Sequence, residues 1–322
     1  MPRYVIIYWN IRLLRSQAKE DIFVNLPLKR QKYQPQILSH LGLFTAAAIW
    51  ASTFINIKYT LLQVQPNTLA FLRFLLATIA LGLVCLLKKQ RLVAGKDWLW
   101  ASLSGLTGVT LYNFLQNQGL RYAGAVDSAI LASLAPVFMA ILARFVLKEK
   151  ITRQQILGIF LAFFGSFLVA TNGSLDFFQA EPLRLWGDFL IIFTGLAWGL
   201  YNTSLKKLLN KYSATSVLTS STITGTVFLL PTLLLEMPLN LHTVNCWGWL
   251  NVIYLGLFAS ALAYLLWNSA LTKVGTVTAG AYLYLMPVIT TVMAFLFLNE
   301  RPGLITIIGG FLALLGTYFA GR

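Results

Sequence analysis

The chain has 322 residues, of which 57% are apolar and only 11% charged, and its mean hydropathy is +0.71. A soluble domain carries about 25% charged residues, so this composition cannot cover a water-facing surface and excludes a soluble enzyme, a disordered chain and a single-span receptor. The net charge of +15 asks for an anionic partner or a membrane orientation, and the placement of the cations decides between them.

Residues 1–37 are polar and carry seven Lys/Arg, from Arg3 to Lys32. The apolar stretch Val5 to Trp9 is too short to span, and no small-residue cleavage site follows it, so a cytoplasmic tail is expected rather than a signal peptide. Glu20 and Asp21 argue against a transit peptide. Ten apolar stretches follow: 40–62, 67–87, 98–119, 126–147, 153–171, 185–207, 213–236, 247–271, 276–298 and 303–320. Each approaches the roughly 20 residues that a membrane-spanning helix needs. The expected fold class is therefore all-α, a polytopic membrane protein of ten transmembrane helices. The longest polar connection, 172–184, separates two halves of five.

With the N-terminus inside, nineteen Lys/Arg fall in inside segments and only Arg121, Arg184 and Arg301 outside. Lys58, Arg73 and Arg144 lie within spans and read as snorkelling anchors near span ends. This asymmetry places both termini in the cytoplasm, in the plasma (inner) membrane. The positive charge then serves orientation and contact with anionic headgroups, and no nucleic-acid partner is needed.

An offset of 151 pairs Asn117 with Asn268, Gly124 with Gly275, Pro136 with Pro287, Glu149 with Glu300, Gly158 with Gly309 and Gly165 with Gly316. An offset of 148 pairs Trp50 with Trp198 and Lys58 with Lys206. Five spans is an odd number, so the second copy enters the membrane from the opposite side. The expectation is two inverted repeats, 38–172 and 184–320, an architecture that suits alternating access.

The segments Ile49-Trp50-Ala51-Ser52-Thr53-Phe54, Leu72-Arg73-Phe74-Leu75-Leu76-Ala77, Leu134-Ala135-Pro136 and Leu147-Lys148-Glu149-Lys150 stand in this order in the first half. Trp186-Gly187-Asp188, Ala197-Trp198-Gly199-Leu200-Tyr201, Leu285-Met286-Pro287 and Leu298-Asn299-Glu300-Arg301 follow in the second. Over about 40–320 the chain resembles the EamA-type transporters of the drug/metabolite transporter superfamily. That resemblance implies ten helices, cytoplasmic termini and a central substrate cavity, and it leaves open amino acids, amines, drugs and other metabolites as substrates.

Polar side chains within hydrocarbon usually face the bundle interior. Asn113, Gln116 and Asn117 share one helix face, flanked by Tyr112. Tyr264, Trp267 and Asn268 form the related group, with Trp50, Thr53 and Asn56 from the first span and Trp198, Tyr201, Asn202 and Thr203 from the sixth. Amides, hydroxyls and rings suit a small amphipathic solute, although the same amides can serve helix–helix bonding. Pro136 and Pro287 are expected as helix kinks, Gly124 and Gly275 as hinges or turns, and Asp127 and Asp188 as helix caps. His40 and His242 fall on opposite sides, so no catalytic constellation or metal site forms. The absence of GxxxxGK[ST] excludes ATP-driven pumping, and no cofactor is expected. Cys85 and Cys246 fall on opposite faces and form no disulfide. The sequence points to a secondary transporter, with a channel-like permease or a non-transporting scaffold or sensor as the alternatives; it fixes neither substrate nor oligomeric state.

Overall fold

The structure, a computed structural model, describes residues 34–122, 128, 131–132, 134–171, 182–239, 241–289, 292 and 303–320. The chain divides into two compact units, Met1–Leu38 and Ser39–Arg322. Of the first only 34–38 are described, as the opening of a helix, and the expected tail otherwise lies outside the described residues. The helical bundle belongs to the second unit.

Among the described residues the regular structure is helical, with no strand. The helices are α1 (Gln34–Thr60), α2 (Pro66–Leu87), α3 (Trp98–Ser104), α4 (Tyr112–Tyr122), α5 (Ala135–Phe145), α6 (Arg153–Thr171), α7 (Pro182–Leu209), α8 (Ala214–Leu233), α9 (Cys246–Tyr254), α10 (Ala263–Leu271), α11 (Thr276–Ala281) and α12 (Leu304–Ala320). Helix α1 begins six residues before the expected start at 40, because Gln34 and Pro35 form its first turn, where proline's missing N–H costs nothing. Among the described residues four helical stretches are long and apolar enough to cross a bilayer: Ile37–Thr60, Pro66–Leu87, Ala214–Glu236 and Cys246–Leu271. Shorter apolar helices stand beside them. Large side chains such as Leu87, Phe145, Phe160 and Leu304 point outward and are largely exposed. In water such a surface would aggregate; in a bilayer it is the solvent-facing side.

Local chemistry sets the helix ends. Ser213 and Asn245 cap α8 and α9 by accepting from Ser216 N and Gly248 N. Thr152 and Gln155 form a reciprocal capping box at α6, both bonds 3.1 Å. Two helix starts borrow a distant carboxylate instead. Glu236 accepts from Asn67 N at 2.7 Å and Thr68 N at 2.8 Å at the start of α2. Glu149 accepts from Thr276 N and Thr276 Oγ1 at the start of α11. Both place negative charge on a helix N-terminus. Outside the helices, Lys211 Nζ donates to Asp97 at 2.9 Å.

Packing follows the small residues. Helix α12 lies along α6, and added methyl groups at Gly158, Gly165 and Gly316 would collide with the backbone of Ala320, Ala313 and Ala162 respectively. This is the small-residue seam by which membrane helices approach closely. Helix α2 packs on α8, and α7 packs on both α4 and α5. The larger buried cluster runs from Leu43 through Phe74, Trp198 and Tyr201 to Trp267.

Candidate functional site

Two helices depart from α-geometry at related places. Helices α3 and α4 are joined without a break by a π-helical segment, Gly105–Leu111, and α9 and α10 by another, Leu255–Leu262. At their ends Tyr112 N bonds Thr107 O and Ala263 N bonds Phe258 O, five residues back. A π turn widens the helix and shifts its ladder, which leaves carbonyls for outside donors. Those donors are aromatic: Trp50 Nε1 donates to Ala259 O at 3.0 Å, and the Tyr264 hydroxyl to Gly108 O at 3.1 Å. Gly108 is a glycine for a reason of space, since its Cα faces the Tyr201 ring at close range.

Around these carbonyls the rings of α1, α4, α7 and α10 meet. Trp50 contacts Trp198 edge-on at 5.3 Å between centroids, Tyr264 at 5.5 Å and Trp267 at 5.3 Å. Trp198 contacts Tyr201 at 5.1 Å, Tyr112 at 5.3 Å and Tyr264 at 5.5 Å. Such tilted and edge-to-face pairs each add about 0.5–1.5 kcal/mol beyond area burial. Amides are threaded through the rings. The Tyr201 hydroxyl donates to Asn268 Oδ1 at 3.0 Å, and Trp267 Nε1 to Asn202 Oδ1 at 2.7 Å. Asn113 Nδ2 bonds Val109 O at 2.8 Å, and Gln116 Nε2 bonds the Tyr112 hydroxyl at 3.2 Å.

Most of the residues singled out from the sequence therefore come together: Trp50, Tyr112, Asn113, Gln116, Trp198, Tyr201, Asn202, Tyr264, Trp267 and Asn268. Three do not join the rings. Thr53 and Asn56 bond carbonyls of their own helix, those of Trp50 and Ser52, and Thr203 does the same with Gly199. Asn117 is buried, and its Nδ2 holds the Pro66 carbonyl at 2.9 Å, tying α4 to the start of α2.

Several expectations need correction. Pro136 sits in the first turn of α5, directly after a turn at Leu134 that interrupts the helical ladder, so its missing N–H leaves no intrahelical bond unmade. Pro287 follows a 3-10 turn, Tyr282–Tyr284, whose last carbonyl accepts from the Ser166 hydroxyl at 3.2 Å. Asp188 is not a cap, because α7 starts at Pro182 and carries Asp188 past the first four N–H groups. Gly275 precedes α11 in an extended conformation open to any residue. Lys206 donates to the carbonyls of Leu271 and Val274 and secures the end of α10. Asp127, Gly124 and Glu300 lie outside the described residues.

The largest correction concerns Arg73. Lys58 and Arg144 are exposed, as anchors should be, but Arg73 is only 3% exposed. Its Nε donates to Ser260 Oγ in the second π segment at 2.9 Å. Its Nη1 is buried and bonds nothing among the described residues. The same holds for Trp198 Nε1 and Asn268 Nδ2. The only signal in sequence for Arg73 is a cation in an apolar run, which a snorkelling anchor shares.

Comparison with known proteins shows the family and the fold. The model of the EamA-like transporter family matches residues 37–171 and again 185–322. An uncharacterized transporter of Archaeoglobus fulgidus is 35% identical over 282 residues, 87% of this chain and 96% of that protein. A protein of Streptantibioticus cattleyicolor named "Probable terminal-alkyne amino-acid exporter" is 29% identical over 281 residues, 87% and 92% of the two chains. The inner membrane transporter YhbE of Escherichia coli K12 is 24% identical, covering 86% and 88%. A crystal structure with a TM-score of 0.71 and 18% identity covers 88% of this chain and 96% of its own, and it shares the fold.

Proposed function

The chain belongs to the EamA-like transporter family, and on that footing we propose that it is a secondary carrier which exports or exchanges small organic metabolites by alternating access. It consists in this reading of ten transmembrane helices in two inverted five-helix repeats, with both termini cytoplasmic. Amino acids, amines and drug-like solutes are the substrate classes, and the ring and amide cluster is the substrate site. The Streptantibioticus relative's printed role favours amino acids among them.

One observation carries the reading. Trp50 and Trp198 are partners under the 148-residue offset, and they touch each other, yet they are not equivalent. Trp50 Nε1 is bonded to Ala259 O, whereas Trp198 Nε1 bonds nothing among the described residues. The carbonyl related to Ala259 by the 151-residue offset belongs to Gly108, and the Tyr264 hydroxyl occupies it. Positions paired by the sequence offsets thus carry unlike hydrogen bonds around one cluster. In an inverted repeat, exchanging the conformations of the halves exchanges the open side.

The test is counterflow in proteoliposomes. Preloading with unlabelled solute should drive transient accumulation of labelled solute above equilibrium, which a channel's linear leak cannot do and a scaffold does not attempt. Orientation is tested in intact cells: an impermeant thiol reagent should label exposed Cys246, while buried Cys85 stays unmodified. Labelling of Cys246 only after lysis would invert the topology.

A further inference from the structure

We infer that Arg73 is the anion anchor of the substrate site, and that it selects solutes bearing a carboxylate on an apolar or aromatic body. The inference rests on the carrier reading above. Its starting point is a guanidinium withdrawn from water and, among the described residues, from any counter-charge. Arg73 is 3% exposed in a membrane-length helix, holds Ser260 Oγ through Nε, and leaves Nη1 buried and unbonded among the described residues. Its guanidinium lies 5.5 Å from the Phe74 ring centroid, and Phe74 meets Tyr264 edge-on at 5.8 Å, which places it beside the ring cluster.

None of the four described acids neutralises it. Asp97 pairs with Lys211, Glu149 serves the start of α11, Glu236 serves the start of α2, and Asp188 makes no ion pair with it. A cation inside a transmembrane bundle is costly, and it marks a ligand or ion pathway by default. Arginine's planar fork matches a carboxylate with two parallel N–H···O bonds. The nearby unspent donors, Trp198 Nε1 and Asn268 Nδ2, add two more groups that seek an acceptor. A single positive charge balances a single negative one, which favours a carboxylate over a phosphate dianion. The rings supply the surface for the rest of the solute.

Three probes separate the contributions: 3-phenylpropionate carries the carboxylate alone, phenethylamine the ammonium alone, and L-phenylalanine both. Binding to the purified full-length protein is read by quenching of the cluster's tryptophans. Both carboxylates should bind at least about tenfold more tightly than phenethylamine, the factor that a hydrogen-bonded charge supports. Arg73→Gln should narrow the ratio to within about threefold, and Arg73→Lys should fall between, since charge without the fork is only part of the recognition. Equal binding of phenethylamine by the wild type overturns the inference without any variant, and so does failure of all three to bind. A carboxylate preference that survives Arg73→Gln overturns it as well. Counterflow is measured in parallel. Counterflow without carboxylate preference removes the Arg73 assignment and leaves the carrier. Carboxylate-selective binding without counterflow keeps the anion anchor and removes the carrier.

Discussion

Adding one methyl group at Gly108 tests whether the first π segment and the ring cluster work as a unit. The Cβ of Gly108→Ala would stand 2.8 Å from Tyr201 Cε2 and closer still to Cγ and Cδ2. Ordinary carbon contacts lie at about 3.5–4.0 Å, so the ring must retreat by roughly 1.5 Å. It has no room, being fully buried against Trp198 and Tyr264. Overpacking of this kind costs about 1–3 kcal/mol. The retreat also lengthens the 3.0 Å bond from the Tyr201 hydroxyl to Asn268 Oδ1, worth about 1 kcal/mol. Alanine's better helix propensity returns about 1 kcal/mol. The expected balance is a loss of about 1–3 kcal/mol, with counterflow falling further than folded protein because the cluster itself is displaced. Gly82→Ala is the control: nothing lies within 4 Å of its added methyl, so that variant should gain up to about 1 kcal/mol. Melting of the two proteins in detergent, beside their counterflow rates, decides. Equal melting temperatures with wild-type transport in Gly108→Ala would refute the geometry of the site.

Three other perturbations have signs set by the structure. Gly165→Leu, against the backbone of Ala313, should force α6 and α12 apart and reduce folded yield in the membrane, by about 3 kcal/mol or more if the seam cannot open; normal yield and melting would mean that these helices do not pack closely. Trp50→Phe and Trp198→Phe both lose buried ring volume, but only Trp50→Phe also deprives Ala259 O of its donor, so it should cost about 1 kcal/mol more than Trp198→Phe; equal destabilisation would contradict the asymmetry. The Asp97–Lys211 pair predicts a pH profile: hydrogen bonding to Lys211 lowers the Asp97 pKa, and the same bond raises that of Lys211. Its stabilisation should be full between about pH 4 and pH 10, lost as pH falls through the lowered Asp97 value or rises through the raised Lys211 value, and absent from melting curves of Asp97→Asn.

Hydropathy makes the helices legible, because a bilayer asks for apolar length and little else. The ring and amide group is legible for the same reason: polar atoms in apolar runs must face one another. Tyr201 and Asn268, distant in sequence, therefore meet. What stays hidden depends on backbone register or on depth. Nothing in Gly105–Leu111 announces a π segment, since the sequence is equally compatible with an α-helix. The position of Pro136 within its apolar run suggests an irregularity, but not that it takes the form of a turn at Leu134 with the proline opening the next helix. Arg73 is misread as an anchor because distance along a helix gives depth without direction. Six residues from a span end can lead to the headgroups or, as here, to Ser260. Glu149 falls in a connection and Glu236 at the last residue of a span, and only the fold brings their carboxylates to helix starts far away in the chain.

Irregular backbone inside a membrane protein survives only where protein or water satisfies it, and its location here has a mechanical consequence. The π segments at Gly105–Leu111 and Leu255–Leu262, the turn at Leu134 and the 3-10 turn at Tyr282–Tyr284 fall about 150 residues apart in pairs. Each pair interrupts a ladder that an α-helix would otherwise close. The interrupted carbonyls are bonded by side chains: Gly108 O by Tyr264, Ala259 O by Trp50, Tyr284 O by Ser166. A side-chain donor can transfer to another acceptor by a rotamer change, whereas a helix ladder must break to move. Arg73 is tied into the same device, since Ser260 neighbours Ala259 in the second π segment. A carboxylate drawing on the Arg73 fork would compete for the guanidinium that holds this segment, and so couple ligand binding to the register of the helix carrying Trp267 and Asn268. Ser260→Ala separates this coupling from simple binding: it should leave the carboxylate preference in place while slowing counterflow. Counterflow unchanged in Ser260→Ala would uncouple Arg73 from the π segment and confine its role to binding.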